Sequence, residues 1–389
     1  MRFLNLMREF LSSNAIGGFV LLGATVVSLI VANSAVGPEY VAFWHRHLNL
    51  SFAGLHLDYP IELWINDGLM AIFFLLVGLE IERELYDGEL STLKAAAMPL
   101  AAALGGMLVP ALIYVAVNIG ESTIKGFGVP MATDIAFALG MLSLLGNRVP
   151  ASLKVFVTAL AIIDDIGAIL VIAFFYSGEL SFTYLGIALA IFGALLLMNR
   201  LGVNRAVFYL LPGVAMWYCM HQSGVHATLS GVMLAFALPF REDARLNISE
   251  HIQHVLHKPV SFIIVPLFAL ANTAIPLNAS LVRQLMRPYS LGIMLGLLVG
   301  KPTGIFLFSY LSVRLGWAYK SRKLLWKTIF GGAIFGGIGF TMSIFIANIA
   351  FPDAATIGVA KLSILLTSVV VTLLGLAVMY SISKKAKPA

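Results

Sequence analysis

Charge is scarce in this chain. Of its 389 residues only 11% are Asp, Glu, Lys or Arg, against about 25% in ordinary soluble domains. Cysteine is nearly missing: Cys219 stands alone, so no intrachain disulfide can form and no thiolate cluster can hold a metal. A phosphate-binding loop is missing too. Gly296-Leu-Leu-Val-Gly-Lys-Pro-Thr comes nearest, but it has three residues where four are needed between the glycines, and Pro302 replaces the hydroxyl residue. Nucleotide-driven chemistry thus finds no support, and no cofactor is expected. Nor is there a basic stretch interleaved with aromatics, so the pI of about 9.3 does not point to nucleic acid.

What is abundant is apolar sequence, with 60% hydrophobic residues and a mean hydropathy of +0.93. A bilayer-crossing helix needs about 20 apolar residues. Twelve such segments are predicted, at about 14–33, 62–81, 95–117, 127–146, 151–176, 182–199, 205–221, 223–240, 260–277, 289–312, 327–351 and 357–382. The seventh and eighth are short and nearly fused. Residues 1–13 read as a short amphipathic helix lying on the membrane surface. With both termini on one side, that side carries 19 of the 25 lysines and arginines and the other carries 5, with Lys301 inside a span. The positive-inside rule then predicts cytoplasmic N- and C-termini in a multi-pass protein of the bacterial inner membrane, embedded in the lipid bilayer. The longest outer loop, about 34–61, alternates apolar and polar residues around Ala53-Gly54 and predicts a periplasmic β-hairpin at about 45–58. The expected fold class is an all-α polytopic membrane protein carrying that small hairpin.

Ionisable residues inside the spans are few, and each is informative. Asp164 and Asp165 lie near the midpoint of the apolar run 149–176. A carboxylate at that depth costs about 2.5–3.5 kcal/mol on insertion scales, and two adjacent ones repel. Asp134 and Lys301 complete the set, with Asp67 and Glu80 nearer the ends of the second span. Three aspartates against one lysine leave an excess of negative charge, so a cation or a proton is the missing partner. Hard cations take oxygen ligands, and Asp164, Asp165 and the Thr133 hydroxyl supply them.

Two spans look interrupted. The fourth opens on Gly126-Phe-Gly-Val-Pro-Met-Ala-Thr-Asp134, and the eleventh has five glycines between Gly331 and Gly339. Glycine costs about 1 kcal/mol relative to alanine inside a helix. Both spans are therefore predicted to break at mid-membrane. One is the middle of spans 3–5 and the other the middle of spans 10–12, which predicts inverted repeats at about 93–176 and 289–382. Half-helix ends carry about half a charge each, and Asp134 and Lys301 are suited to neutralise them. His251, His254 and His257 recur every three residues, but no carboxylate or cysteine completes a metal site. They read either as groups titrating near neutral pH or as plain surface residues. His226, in the eighth segment, is either a packed core histidine or part of such a response.

Several stretches resemble one family in order and spacing over essentially the full length. They are Trp64-Ile-Asn-Asp67, Phe73-Phe-Leu-Leu-Val-Gly-Leu-Glu80, Ala132-Thr-Asp-Ile-Ala-Phe-Ala-Leu-Gly140, Ala159-Leu-Ala-Ile-Ile-Asp-Asp-Ile-Gly167, Ser223-Gly-Val-His-Ala-Thr-Leu229, Gly300-Lys-Pro302 and Gly337-Ile-Gly-Phe-Thr-Met-Ser-Ile-Phe345. The chain resembles the bacterial NhaA sodium/proton antiporters. Inverted repeats are a known property of that family, so the repeat reading and the resemblance are not independent. The resemblance implies a single membrane transport domain over 1–389, no enzyme activity, and exchange of cytoplasmic Na⁺ or Li⁺ for external H⁺. It implies that Asp164 and Asp165 form the ion and proton site, that Asp134 and Lys301 compensate crossed half-helices, and that Lys301 pairs with Asp164 when the site is closed. It places a pH response at Glu80, Arg83, Glu84, His254 and His257, with His226 as a further candidate, and it implies a homodimer through the hairpin. The chain departs from the pattern at Gln253, where a glutamate is usual, and at Glu82, where a lysine is usual. Two other readings stay open on the residues alone: an intramembrane aspartyl protease, which would have no use for Lys301, and a sodium-coupled solute symporter of the same architecture.

Overall fold

The computed structural model describes residues 2–51, 56–88, 90–240, 247–321 and 324–383. The hairpin tip at Ala53-Gly54 and the basic residues Arg241, Arg245, Arg322, Lys323, Lys384, Lys385 and Lys387 lie outside them. Helix α1 (Arg2–Ala32) runs unbroken from the expected surface segment into the first apolar run. The residues between them, Ser12-Ser13-Asn14, are weak helix formers, but no proline intervenes and the helix propagates. After α2 (Gly37–Trp44), β1 (His47–Asn49) pairs antiparallel with β2 (Asp58–Pro60), with Leu48 opposite Tyr59. The paired strands run from 47 to 60, against the expected range of about 45–58. It is tied to the next helix by Trp64 Nε1, which donates to the Leu48 carbonyl at 3.1 Å.

The remaining helices are α3 (Ile61–Asp87), α4 (Leu93–Val117), a 3₁₀ segment (Ser122–Met131), α5 (Ile135–Leu144), α6 (Ala151–Phe175), α7 (Phe182–Arg200) and α8 (Val207–Gln222). There follow α9 (Leu229–Ala237), α10 (Ile248–Asn272), α11 (Ala279–Gln284), α12 (Pro288–Arg314), α13 (Trp326–Gly336), α14 (Phe340–Ala350) and α15 (Ala354–Ser383). Among the described residues, seven single helices are long and apolar enough to cross a membrane, and two pairs bent by 44° bring the number to nine. The bent pairs are Ser122–Met131 with α5 and α13 with α14, the two spans whose glycines predicted a break. The other three expected segments are helical but shorter: the apolar part of α1 (Ile16–Ala32), α8 and α9. The eighth differs most from expectation. Residues 223–228 form a turn, with Gly224 at φ +81°, a left-handed conformation that favours glycine. His226 thus sits in a turn and not within a span.

The chain divides into two compact units, one made of Met1–Gly23, Asp87–Ala168 and Leu277–Ala389, the other of Ala24–Tyr86 and Ile169–Pro276. In the first, α4 and α12 meet backbone to backbone. A Cβ on Gly105 would strike the Gly304 carbonyl, and a Cβ on Gly304 would strike the Gly105 carbonyl. Glycine at both positions is what permits the approach. A π-helical turn at Gly296–Gly300 precedes Lys301 in α12. Pro302 follows, and it has no N–H to give to the preceding turn. In the second unit, α3 packs on α9 with Gly78 against Ala235 and Gly231 against the Ala71 backbone.

Outside the spans, Asp353 caps α15: its Oδ1 accepts from Thr356 N at 2.8 Å. That hydrogen bond holds the carboxyl below the usual carboxylate range. A carboxyl depressed on folding contributes stability above its unfolded pKa and loses it as pH falls through the folded value. Asp353→Ala should cost about 1 kcal/mol at neutral pH, while Asp353→Asn should keep most of the cap and lose the acid sensitivity. Thermal unfolding in detergent across acidic pH checks both.

Candidate functional site

The site is built where the two bent pairs cross, within the first unit. The unwound links 132–134 and 337–339 touch through Asp134 N, which donates to the Ile338 carbonyl at 2.7 Å. Asp134 then caps two helices at once. Its Oδ1 accepts from Phe137 N at 2.9 Å, in the first turn of α5. Its Oδ2 accepts from Thr341 N at 3.1 Å and from Thr341 Oγ1 at 2.5 Å, in the first turn of α14. Each N-terminus carries about +0.5 charge, so one buried carboxylate answers both.

Lys301 serves the opposite pole. Its side chain is fully buried and its Nζ donates to the Met131 carbonyl, at the C-terminal end of the 3₁₀ half. The same ammonium pairs with Asp164 Oδ2 at 2.9 Å, with neither side chain exposed. Thr133 Oγ1 lies 2.6 Å from Asp164 Oδ2 and 2.9 Å from the Gly336 carbonyl. A hydroxyl has one proton, and the carboxylate is the stronger acceptor, so Thr133 donates to Asp164. Asp165 is also buried and within Coulombic reach of Lys301. Ser343 Oγ donates to the Val129 carbonyl at 2.7 Å and ties α14 to the 3₁₀ half.

The residues read as a pH response fall into two places, both in the second unit. Glu80, Glu82 and Glu84 are buried in the last turns of α3. Arg83 pairs with Glu84 at 3.4 Å, and Ser249 Oγ, from α10, donates to Glu82 Oε2 at 2.8 Å. Gln253, one turn after Ser249, is buried on the same face, whereas His254 is exposed and His257 half-buried. His226 is elsewhere. Its Nε2 donates to the Tyr176 carbonyl at 3.0 Å, and it lies within Coulombic reach of Asp67 and His221, themselves paired at 3.1 Å. Asp67 and Glu80 are thirteen residues apart on α3, or about 20 Å along a helix. His226 therefore stands apart from Glu80 along α3. Among the described residues no three His, Cys, Asp or Glu side chains cluster as a metal site, and the histidines of α10 do not form one.

Thr341 and Ser343 carry no role in the sequence reading. Their signal was a pair of hydroxyls just after the glycine run. Thr341→Val keeps the shape and the backbone donor but removes the hydroxyl from Asp134. A hydrogen bond to a charged group contributes about 1.5–3 kcal/mol, so the melting temperature should fall accordingly, and an unchanged one would remove Thr341 from the cap.

Two bent helices crossing around a buried carboxylate–lysine pair define the class: an ion-coupled secondary transporter built on interrupted helices. The profile of the family described as "Na+/H+ antiporter 1" matches residues 8–379. The chain belongs to that family, whose members are multi-pass membrane transporters and not enzymes. It is 53% identical over 375 residues to the Na(+)/H(+) antiporter NhaA of Flavobacterium psychrophilum, covering 96% of each chain. It is 53% identical to the NhaA of Cytophaga hutchinsonii, covering 97% of this chain and 95% of that one. It is 48% identical to the NhaA of Yersinia enterocolitica, covering 99% and 98%. Its fold is similar to that of the sodium proton antiporter MjNhaP1 from Methanocaldococcus jannaschii, with a TM-score of 0.55 at 15% identity, covering 99% of both chains.

Proposed function

We propose that this chain exchanges cytoplasmic Na⁺ or Li⁺ for external H⁺ by alternating access, serving sodium and pH homeostasis. The observation that carries the reading is the fully buried Lys301–Asp164 pair at the helix crossing. A carboxylate that binds a lysine, a proton or a cation cannot hold all three charges at once. Lys301 holds Asp164 in the closed arrangement. Entry of a cation displaces the ammonium and any proton, and Asp164, Asp165 and Thr133 supply the oxygens. Return of protons to the carboxylates expels the cation. Asp134 keeps the two helix N-termini neutralised throughout.

The inverted-repeat reading, over about 93–176 and 289–382, is supported by the reciprocal contact of Gly105 with Gly304. One position lies in each repeat, and each glycine touches the other's carbonyl, as expected beside a two-fold axis. We place both termini in the cytoplasm of the inner membrane on the basic-residue bias. The exposed edge strand His47–Asn49 supports a homodimer joined through the hairpin. The buried carboxylates Glu80 and Glu84, with Arg83 beside them and His254 and His257 on α10, are the proposed pH response. His226 would act separately, at the Asp67 end. Neither the protease nor the solute-symporter reading is favoured by the family relationship.

The test is reconstitution in liposomes holding a pH-sensitive dye, with Na⁺, Li⁺ and K⁺ added in turn. Na⁺ and Li⁺ should each move protons in exchange. No proton movement with any cation would overturn the proposal.

A further inference from the structure

We infer that Ile305 is an apolar gate over Asp164, and that its bulk sets which cations reach the carboxylate. The inference rests on the reading of Asp164 as an ion ligand. The two oxygens of Asp164 differ. Oδ2 is occupied by Lys301 and Thr133. Oδ1 is fully buried, and no hydrogen-bond donor reaches it among the described residues. A cation that arrives while Lys301 still holds Oδ2 must therefore meet Oδ1.

Gly106 leaves a notch beside Oδ1, and Gly336 leaves room for the far end of the side chain that fills it. A Cβ on Gly106, in α4, would lie 3.9 Å from Asp164 Oδ1 and only 2.7 Å from Ile305 Cγ1. A Cβ on Gly336, at the end of α13, would strike Ile305 Cδ1. Ile305 is fully buried and fills that notch. An apolar side chain there gives a charged oxygen no compensation, so its contribution is to occupy the room that a cation or its water would need. Ile305 stands four residues after Lys301, on the same face of α12. A movement of α12 that withdraws the ammonium from Oδ2 therefore withdraws the isoleucine from beside Oδ1. Pair and gate open together.

The test uses full-length protein in liposomes and reads the KM and maximal rate for Li⁺, Na⁺ and K⁺. Ile305→Ala should lower the ratio of the K⁺ KM to the Na⁺ KM by about tenfold, the scale on which small changes in pocket bulk discriminate substrates. Ile305→Val, which loses only Cδ1, should move the ratio the same way by less, and it serves where the alanine variant folds poorly. Gly106→Ala should raise the KM for every cation, most for the largest, because its methyl crowds Ile305 and itself stands 3.9 Å from Oδ1. Gly106→Ala combined with Ile305→Ala should return the ratio towards wild type, since the added methyl stands near where Cγ1 stood. Asp164→Asn separates the two readings. If it still exchanges, Asp164 is not the ligand. If it is inactive while both Ile305 variants keep the wild-type ratio, or weaken all three cations equally, the gate is overturned and Ile305 is packing alone.

Discussion

Asp164→Asn and Asp165→Asn should each end sodium-driven proton exchange while the protein still inserts and folds. Asparagine nearly matches aspartate in shape but carries no charge and takes up no proton at these pH values. On the proposed mechanism, either substitution removes a cation ligand and a proton carrier. The two should differ in stability. Asp164→Asn leaves the ammonium of Lys301 facing a neutral amide in a site with no exposure, and breaking a buried pair from one side typically costs about 3–5 kcal/mol. Asp165 is within Coulombic reach of Lys301, whose ammonium pairs with Asp164 at 2.9 Å, so Asp165→Asn should melt nearer wild type. Liposome exchange assays and melting curves on the same preparations check both parts. Retained exchange in Asp165→Asn would remove Asp165 from the site.

Lys301→Ala is expected to combine a large loss of stability with a large loss of exchange. The ammonium satisfies Asp164 Oδ2 and the Met131 carbonyl together. Its removal strands a carboxylate and a helix C-terminus in a buried crossing. The loss again falls at about 3–5 kcal/mol. Lys301→Arg should retain part of the stability because it keeps the charge, but the planar guanidinium cannot reproduce both contacts of a compact ammonium. Its exchange rate should lie between those of wild type and alanine. Equal melting temperatures for wild type and Lys301→Ala would show that the pair carries no stability.

The candidate site residues were legible because a charge in an apolar run has few explanations. Asp134, Asp164, Asp165 and Lys301 stood out on that ground, and the structure gathers Asp134, Asp164 and Lys301 with Thr133 at one crossing. The two breaks were legible from glycine density. What stayed hidden is instructive. That Asp134 caps a second helix depends on Thr341, 207 residues away, and no local pattern announces such a pairing. The tight 3₁₀ form of the first half, Ser122–Met131, was not distinguishable from an α-helix in so glycine-rich a stretch. The run 223–240 reads as a span by hydropathy alone, yet Gly224 turns the chain and sets His226 outside the helix. Ile305 was invisible because an isoleucine among apolar residues carries no signal until the two glycines facing it are placed in space.

The central claim is that one pair of carboxylates serves Na⁺ and H⁺ in turn. The most direct measurement is the apparent Na⁺ affinity of the purified protein, taken by calorimetry from about pH 6 to about pH 9, with the protons released on binding counted in buffers of different ionisation enthalpy. Linkage requires affinity to rise with pH by up to about tenfold per unit for each proton displaced, then to level off once the carboxylates are ionised. Proton release should accompany Na⁺ binding over the rising part and vanish on the plateau. An affinity that stays flat across the whole range, with no protons released, would contradict competition at Asp164 and Asp165.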